Sequence, residues 1–198
     1  MQNYHELMQE IRHYCAARGW YGADLRGPEW DTGVAANDPR KATFTFPPAT
    51  LEQLQETETL LGFALPPFLR ILYAELANGG FGPAYGLRGE VGGFADTTGT
   101  LVQHYQSLCE GRSLLDLDLG SEMAQKHGEL VVPFDQWPRG LFSMCEWGCA
   151  IQICQDGTTG AVYRVEPSGD GYHITQEAES LEQWLEHWMH AEFYAKSK

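Results

Sequence analysis

Three cysteines in the second half of the chain are close enough together to raise the question of a metal site. Cys145, Cys149 and Cys154 could act as thiolate ligands, and the gap between the first two is one that structural zinc sites use. Such sites take a second pair of ligands, and no matching pair follows. We therefore interpret the cysteines as small buried residues of β-strands and predict no metal ligands.

A pair of histidines near the C-terminus is the other candidate for metal binding. His187 and His190 are three residues apart with Glu186 beside them, but the segment lacks the HExxH pattern of zinc proteases. The helical phase places both histidines on the polar side of the predicted helix. We interpret them as part of a solvated face.

Motifs for other chemistry are absent from the sequence. There is no GxSxG elbow, no GxxxxGK[ST] phosphate loop and no GxGxxG dinucleotide motif. Paired carboxylates carry no information in a chain with 27 acidic residues. We predict no catalytic and no cofactor-binding residues; an unrecognised hydrolase remains the weakest alternative.

Charge is the strongest bulk property of the chain. Its 198 residues include 13 basic and 27 acidic side chains, which gives a formal net charge of −14. Such a surface repels nucleic acid and anionic membranes and attracts basic partners, although solubility alone also explains it. With no apolar run long enough for a membrane and no signal peptide, the expected location is cytoplasmic, with reduced cysteines.

The helices that position these residues are predicted from apolar periodicity and from their end signals. The clearest is Leu65–Gly80, where Pro66 and Pro67 suit the first turn and the Asn-Gly-Gly sequence suits the end. Before it, Thr50 and Gln53 form a capping box for a helix that ends near Gly62. Further helices are predicted over Asn3–Arg18, Thr100–Glu110 and, weakly, Glu122–His127, and from Ser180 to the end of an apolar stripe at Met189.

The second half of the chain has the alternating pattern of strands. After a first strand that starts at Val131, we predict strands over Leu141–Trp147, Cys149–Cys154, Ala161–Val165 and Tyr172–Thr175, with a bend or bulge at Gly148. Short turns join them, so the arrangement is an antiparallel meander of about four strands. Helices early and strands late predict an α+β fold, a mostly antiparallel sheet with helices packed around it.

The order of these signals resembles the SUKH superfamily, the Smi/Knr type. The resemblance runs from Phe46 to Tyr194 and rests on two Pro-started helices, the Asn-Gly-Gly stop, a glycine-rich segment and a late Trp-Gly hairpin. It implies a SUKH-like domain over residues 46–198, with an N-terminal helix and an aromatic, glycine-rich extension over residues 1–45 that forms one compact unit with it. The resemblance implies a structural role for the residues that fit the family pattern. These are Leu65, Pro66, Asn78, Gly79, Gly80, Trp147 and Gly148.

The resemblance also implies a function in binding. In bacteria it implies an immunity protein that occludes a toxin domain, and the negative charge suits a basic toxin. A regulatory interaction scaffold without a toxin partner is the main alternative. Aromatic anchors would supply affinity, and the candidates are Trp20, Tyr21, Trp30 and Tyr85, although a place in the core is favoured over a partner contact for each. The partner's identity and the oligomeric state stay open.

Overall fold

The computed structural model describes residues 4–18, 46–126 and 128–190. Its six helices are α1 (Tyr4–Arg18), α2 (Leu51–Leu61), α3 (Pro67–Glu75), α4 (Leu101–Cys109), α5 (Leu119–Gln125) and α6 (Leu181–Met189). Its seven strands are β1 (Ser113–Leu115), β2 (Glu129–Val132), β3 (Gln136–Pro138), β4 (Leu141–Gly148), β5 (Ile151–Asp156), β6 (Val162–Ser168) and β7 (Gly171–Ala178). This is the α+β class that the sequence predicts.

Five of the strands form one antiparallel sheet in the order β2-β7-β6-β5-β4. The strands from β4 to β7 are the predicted meander. The strand predicted to start at Val131 is divided in the structure. Its first part is β2, which pairs with β7 at the far edge of the sheet, and after a turn at residues 133–135 the chain continues as β3 outside this sheet. A separate parallel pair joins β1 to β3, which the chain can form because α5 and β2 lie between them in sequence.

Capping boxes start two of the helices. At α2, the Thr50 hydroxyl accepts from the backbone N–H of Gln53 at 3.2 Å, and the Gln53 side chain accepts from the Thr50 N–H at 2.8 Å. Thr100 and Gln103 repeat the arrangement at α4. Each box satisfies donors that the first turn leaves without an intrahelical partner. The box at Thr50 is confirmed as predicted.

Helices α1, α3 and α6 share a hydrophobic core with the facing side of β4 and β5. From α6 it takes the fully buried Trp184, and from α1 it takes Ile11. Removing such side chains from water contributes roughly 1.5–3 kcal/mol each. A second core, on the other side of the sheet, contains Trp137 and Met123. The N-terminal helix is thus part of the main core, while the domain boundary at residue 46 stays a prediction.

Helix α3 is shorter than predicted. It begins at Pro67, with Pro66 immediately before it, and ends at Glu75 instead of running to the Asn-Gly-Gly sequence. The physical reason is tertiary, because the backbone N–H of Asn78 donates to Pro47 and its carbonyl accepts from Phe94. Because these hydrogen bonds join Asn78 to other segments of the chain, the helix ends before the two glycines.

The hairpin after Trp147 also differs from the prediction. Gly148 is the last residue of β4, and the strand register shifts between Glu146 and Gly148, so the irregularity expected at Gly148 is confirmed. Cys149, however, is not in a strand. Cys149 and Ala150 have φ of 54° and 64°, the left-handed values of a two-residue hairpin turn, and β5 starts after them.

One exposed leucine corrects the predicted face of α2. Leu51 shares a helical side with Leu54 and Leu61 in sequence, yet it is 55% exposed while the other two are buried. It is the first residue of the helix, directly after the N-cap Thr50. Among the helices that the structure describes, none has the length and hydropathy needed to span a membrane.

Candidate partner-binding surface

The glycine-rich segment, residues 79–99, covers the outer edge of strand β4. The backbone N–H of Arg88 donates to the carbonyl of Met144 at 2.7 Å, and that of Tyr85 donates to Glu146 at 3.4 Å. An uncovered edge strand presents free donors and acceptors on which another chain can add a strand. The segment occupies these groups, so any partner on this side meets the segment rather than the sheet.

Asn78, just before the segment, is hydrogen-bonded to residues in the middle of it. Its side-chain oxygen accepts from the N–H of Glu90 at 2.7 Å, and its backbone carbonyl accepts from the N–H of Phe94 at 2.9 Å. The side chain is buried. Asn78, expected from the family pattern as a structural residue at a helix end, instead works as a crosslink between loop strands.

Gly79 and Gly80 follow Asn78 with φ of 79° and 78°, a backbone conformation that costs other residues strain. A Cβ on Gly79 would lie 2.5 Å from the backbone nitrogen of Gly89. The two passes of the segment are therefore close enough that only glycine fits.

Leu65, which precedes α3, is buried, and its N–H donates to Glu58 at 3.2 Å.

Arg88 lies in the middle of the segment with a side chain that is entirely removed from solvent. Its guanidinium pairs with the Asp96 carboxylate, with 2.7 Å between Nη2 and Oδ2. It also donates to the Ser143 hydroxyl at 2.6 Å and to Gln152 Oε1 at 3.2 Å. A buried charge is tolerated when such partners replace its water. Arg88 therefore joins the segment to β4 and β5.

Tyr85 lies on the outer surface of this segment. Its side chain is 50% exposed, although the residues on both sides of it are buried. The ring lies beside Gly148, where an added Cβ would be 3.7 Å from the Tyr85 hydroxyl. The neighbouring Trp147 is partly buried and packs edge-on against Trp184, with 6.1 Å between ring centroids. The surface thus combines an exposed phenol with a fixed backbone.

The other three aromatic candidates, Trp20, Tyr21 and Trp30, lie outside the described residues. Among the four sequence-predicted partner contacts, the structure therefore places Tyr85 alone.

A comparison with known protein families decides what kind of chain carries this architecture. The sequence profile of the SMI1 / KNR4 family (SUKH-1) matches residues 48–187, well over half of the chain. The chain belongs to this family. No curated protein and no solved structure matches it at the significance required. The family match spans the elements from α2 to α6, so the segment, its arginine and Tyr85 all fall inside the SUKH-1 domain.

Two further buried groups of this SUKH-1 chain are Glu90, within the segment, and His104, in the helix α4 that follows it. Burial raises the pKa of Glu90 to about 8, with Glu58 raising it further and Arg70 lowering it. Both carboxyl oxygens of Glu90 are buried and have no hydrogen-bond partner within the described part of the chain. At neutral pH the carboxyl is therefore protonated, which removes most of the cost of burying it.

His104 is the second of these groups. Burial first, and then the positive charge of Arg88, lower its pKa to about 4, while Asp96 acts in the opposite direction. The imidazole is therefore neutral under physiological conditions. Both His104 and Glu90 are buried, so neither faces solvent where a substrate could reach it.

The cysteines and histidines singled out for metal binding do not converge. Cys145 and Cys154 are buried, and burial raises the pKa of both thiols, that of Cys145 to about 12. Cys149 is exposed, which corrects the expectation that all three are buried; its place on the hairpin turn is the reason. The described residues contain no group of three or more His, Cys, Asp or Glu side chains placed to hold a metal.

The opposite edge of the SUKH-1 sheet carries a different charged group, the His173 bridge. The Nδ1 atom of His173 is 2.7 Å from Glu129 on β2, and its Nε2 atom is 2.8 Å from Asp170 in the turn before β7. These hydrogen bonds, the one to Asp170 first, raise the pKa of His173. Glu166 of β6, paired with Arg164, is the register neighbour of His173. All of these groups are solvent-accessible.

Sequence reasoning missed the buried ionic cluster completely. Arg88, Asp96 and His104 were not singled out because charged residues are expected on the surface. Ser143 and Gln152, two partners of Arg88, lie more than 50 residues further along the chain, so no local pattern marks the contact. The one available signal was a lone arginine between glycines in a segment otherwise poor in charge.

Proposed function

We propose that this chain is a non-enzymatic binding module, a cytoplasmic immunity protein that binds a basic toxin domain and occludes it. The observation that carries the proposal is Tyr85, half exposed on a segment whose backbone is fixed by Asn78 and Arg88. Membership in the SUKH-1 family supports it, because the superfamily is associated with toxin immunity and with regulatory interaction modules.

A rigid display of an aromatic side chain favours binding. Association costs free energy for each side chain and loop that becomes ordered, and a loop that is already fixed avoids part of that cost. Tyrosine is enriched among the few interface residues that contribute most of the affinity. Gly148 has no side chain, so it leaves one side of the Tyr85 ring uncovered for a partner.

The charge of the chain favours a basic partner. A net charge of −14 speeds the encounter with a positively charged surface and slows the encounter with acidic proteins. Toxins that cleave nucleic acid have basic surfaces because their substrate is a polyanion. The acidic surface would then take the place of the phosphates, and Tyr85 would supply apolar contact that charge cannot supply.

The test uses the toxin-domain protein encoded beside this chain's gene, made catalytically inactive. Titration calorimetry should detect a complex that is tighter at low salt than at high salt. Tyr85→Ala should weaken it about tenfold or more, the usual effect of removing an aromatic anchor. Phe134→Ala is the matched control, since Phe134 is 45% exposed at the opposite edge of the sheet and should leave the affinity unchanged.

Three results would count against parts of this proposal. If no complex forms at either salt concentration, the immunity function is wrong. A complex that fails to protect cells expressing the active toxin would instead identify a regulatory scaffold. If Phe134→Ala rather than Tyr85→Ala weakens the complex, binding occurs but at the other edge.

A further inference from the structure

A cleft lies on the side of the molecule where α2 and α4 meet β1 and the turns after β3 and β5. We name it the amphipathic cleft; its volume is about 510 Å³, within the range of small-molecule sites. It is lined by Leu60, Leu61, Gly62, Phe63, Tyr105, Gln106, Cys109, Leu114, Asp116, Leu117, Arg139, Gly140, Gly157 and Thr158. Tyr85 and Gly148 do not belong to it, so it is separate from the proposed partner surface.

One wall of the amphipathic cleft is apolar and incompletely covered. Leu60 lines this wall and is 45% exposed. Phe63 stands edge-on to Tyr105 with 5.5 Å between ring centroids, and it also contacts Phe142 of the main core. A hydrophobic body placed against this wall would remove Leu60 and Phe63 from water, which is the main source of affinity in such sites.

The facing wall carries one positive charge. Arg139 is the sole cation among the lining residues, all of which the structure describes, and its Nε donates to Asp116 at 2.5 Å. The two side chains are 56% and 77% exposed, and a pair so open to water contributes at most about 1 kcal/mol. The guanidinium can therefore turn to a second carboxylate at little cost, since it has several donors in one plane.

The remaining polar groups of the cleft are neutral. The Tyr105 hydroxyl accepts from the backbone N–H of Gly140 at 3.1 Å, which fixes the ring. Burial raises the pKa of both Tyr105 and Cys109, so neither carries a negative charge at neutral pH. Asp116 is then the only anion in the lining, and its hydrogen bond with Arg139 uses the Nε donor of the guanidinium.

We propose that the amphipathic cleft binds a small carboxylic acid with an aryl or alkyl body. The body would lie against Leu60 and Phe63, and the carboxylate would pair with Arg139. A phosphorylated ligand fits less well, because one arginine cannot balance several phosphate charges. A cationic ligand would have to displace Arg139 from Asp116.

The test titrates the folded full chain with 4-phenylbutyrate and, in parallel, with 4-phenylbutyramide, which has the same body and no charge. Amide chemical shifts of Gly140, Gly157 and Thr158 report on the cleft. The acid should shift them in a saturable way. The amide should bind at least about tenfold more weakly than the acid, as expected for loss of a charged hydrogen bond.

Two variants separate the role of Arg139 from a general effect of charge. Arg139→Gln should lower the affinity for 4-phenylbutyrate about tenfold and leave the affinity for the amide unchanged. Arg164→Gln is the matched control, because Arg164 is also paired with a carboxylate but lies outside the lining. It should bind like the unaltered chain.

The remaining outcomes overturn the proposal. No shift at the three amides up to millimolar acid would show that the cleft is not a site for this class. Equal binding of acid and amide, or equal loss in the Arg139 and Arg164 variants, would show that Arg139 does not recognise the carboxylate. None of these results bears on toxin binding at Tyr85.

Discussion

The two edges of the five-stranded sheet differ in what covers them. At the β4 edge, the glycine-rich segment bonds to the strand and buries Arg88 with its partners. At the β2 edge, the described residues place no further strand beside β2, and the charged groups of the His173 bridge stand in solvent. The same chemistry of carboxylates and cations therefore operates in the interior at one edge and in water at the other.

This difference predicts where charge matters for stability. A buried ion cannot recover water when its partner is lost, so breaking a buried pair is costly. An exposed ion regains water at once, and its pair contributes little. We therefore expect substitutions at the β4 edge to destabilise the fold far more than substitutions at the β2 edge, and the following experiments test that order.

The largest effect is expected for Arg88→Met. The substitution leaves Asp96 without its cation and removes the donors to Ser143 and Gln152. The free energy of unfolding in urea should fall by roughly 3–5 kcal/mol. The matched control is Arg164→Met, which breaks a more exposed pair and should cost at most about 1 kcal/mol. Equal losses would mean that the burial of Arg88 does not decide its contribution.

Glu90→Gln should change how stability depends on pH. In the unfolded chain the carboxyl ionises near its ordinary pKa of 4.5, whereas in the folded chain it keeps its proton up to about 8. Folding therefore takes up a proton between these values, and the free energy of unfolding falls as pH rises through them. Between about pH 6 and about pH 9 the loss should be on the order of 3 kcal/mol, and the decline ends above the folded pKa.

The Gln variant should lack this decline, because glutamine does not ionise. Urea unfolding at about pH 6 and about pH 9 checks it, with Glu56→Gln as the control on the exposed side of α2. If the decline of the original chain survives in Glu90→Gln, another group is responsible for it.

Gly79→Ala should cost about 2–3 kcal/mol of unfolding free energy, since the methyl group meets the Gly89 backbone and the residue has a positive φ. Gly62→Ala is a close control. Gly62 has nearly the same φ, 81°, but no atom within 4 Å of the added Cβ, so it should cost only about 1 kcal/mol. A similar loss of unfolding free energy in both variants would mean that the positive φ alone causes the effect, and that the contact with the Gly89 backbone does not contribute.

The smallest effect is expected for His173→Gln at the β2 edge. The folded pKa of His173 is raised, so its contribution is present below the unfolded value and is lost as pH rises through the folded value. Because the bridge is in solvent, the unfolding midpoint should change only slightly, and only on the acid side. An NMR titration of the imidazole, repeated in Glu129→Gln, should show a lower pKa in the variant.

Local signals in the sequence predicted the elements well where the decisive contacts are local. Thr50 and Gln53 are three residues apart, and their capping box forms as expected. The apolar stripe of α6 follows the helical period, and Leu181, Trp184, Leu185 and Trp188 are all buried. In both cases the interacting groups are neighbours in sequence, so periodicity and end signals contain the needed information.

The candidate surface was only partly predictable, because long-range contacts decide it. Tyr85 could be picked out as an aromatic residue among glycines, but its exposure depends on how the segment lies against β4. Asn78 looked like a helix terminator, and its actual role as a crosslink depends on Glu90 and Phe94. For the same reason, no pattern indicated that Arg88 is buried.

The spacing of Arg88 and its partners has a consequence for how the chain acquires its structure during synthesis. Ser143 and Gln152 are 55 and 64 residues after Arg88, so the ribosome releases the arginine well before either partner exists. Until then the guanidinium can pair with the nearby Asp96, but water must stand in for Ser143 and Gln152. The glycine-rich segment therefore cannot close early, and its docking should be one of the last steps of folding, coupled to the arrival of β4 and β5.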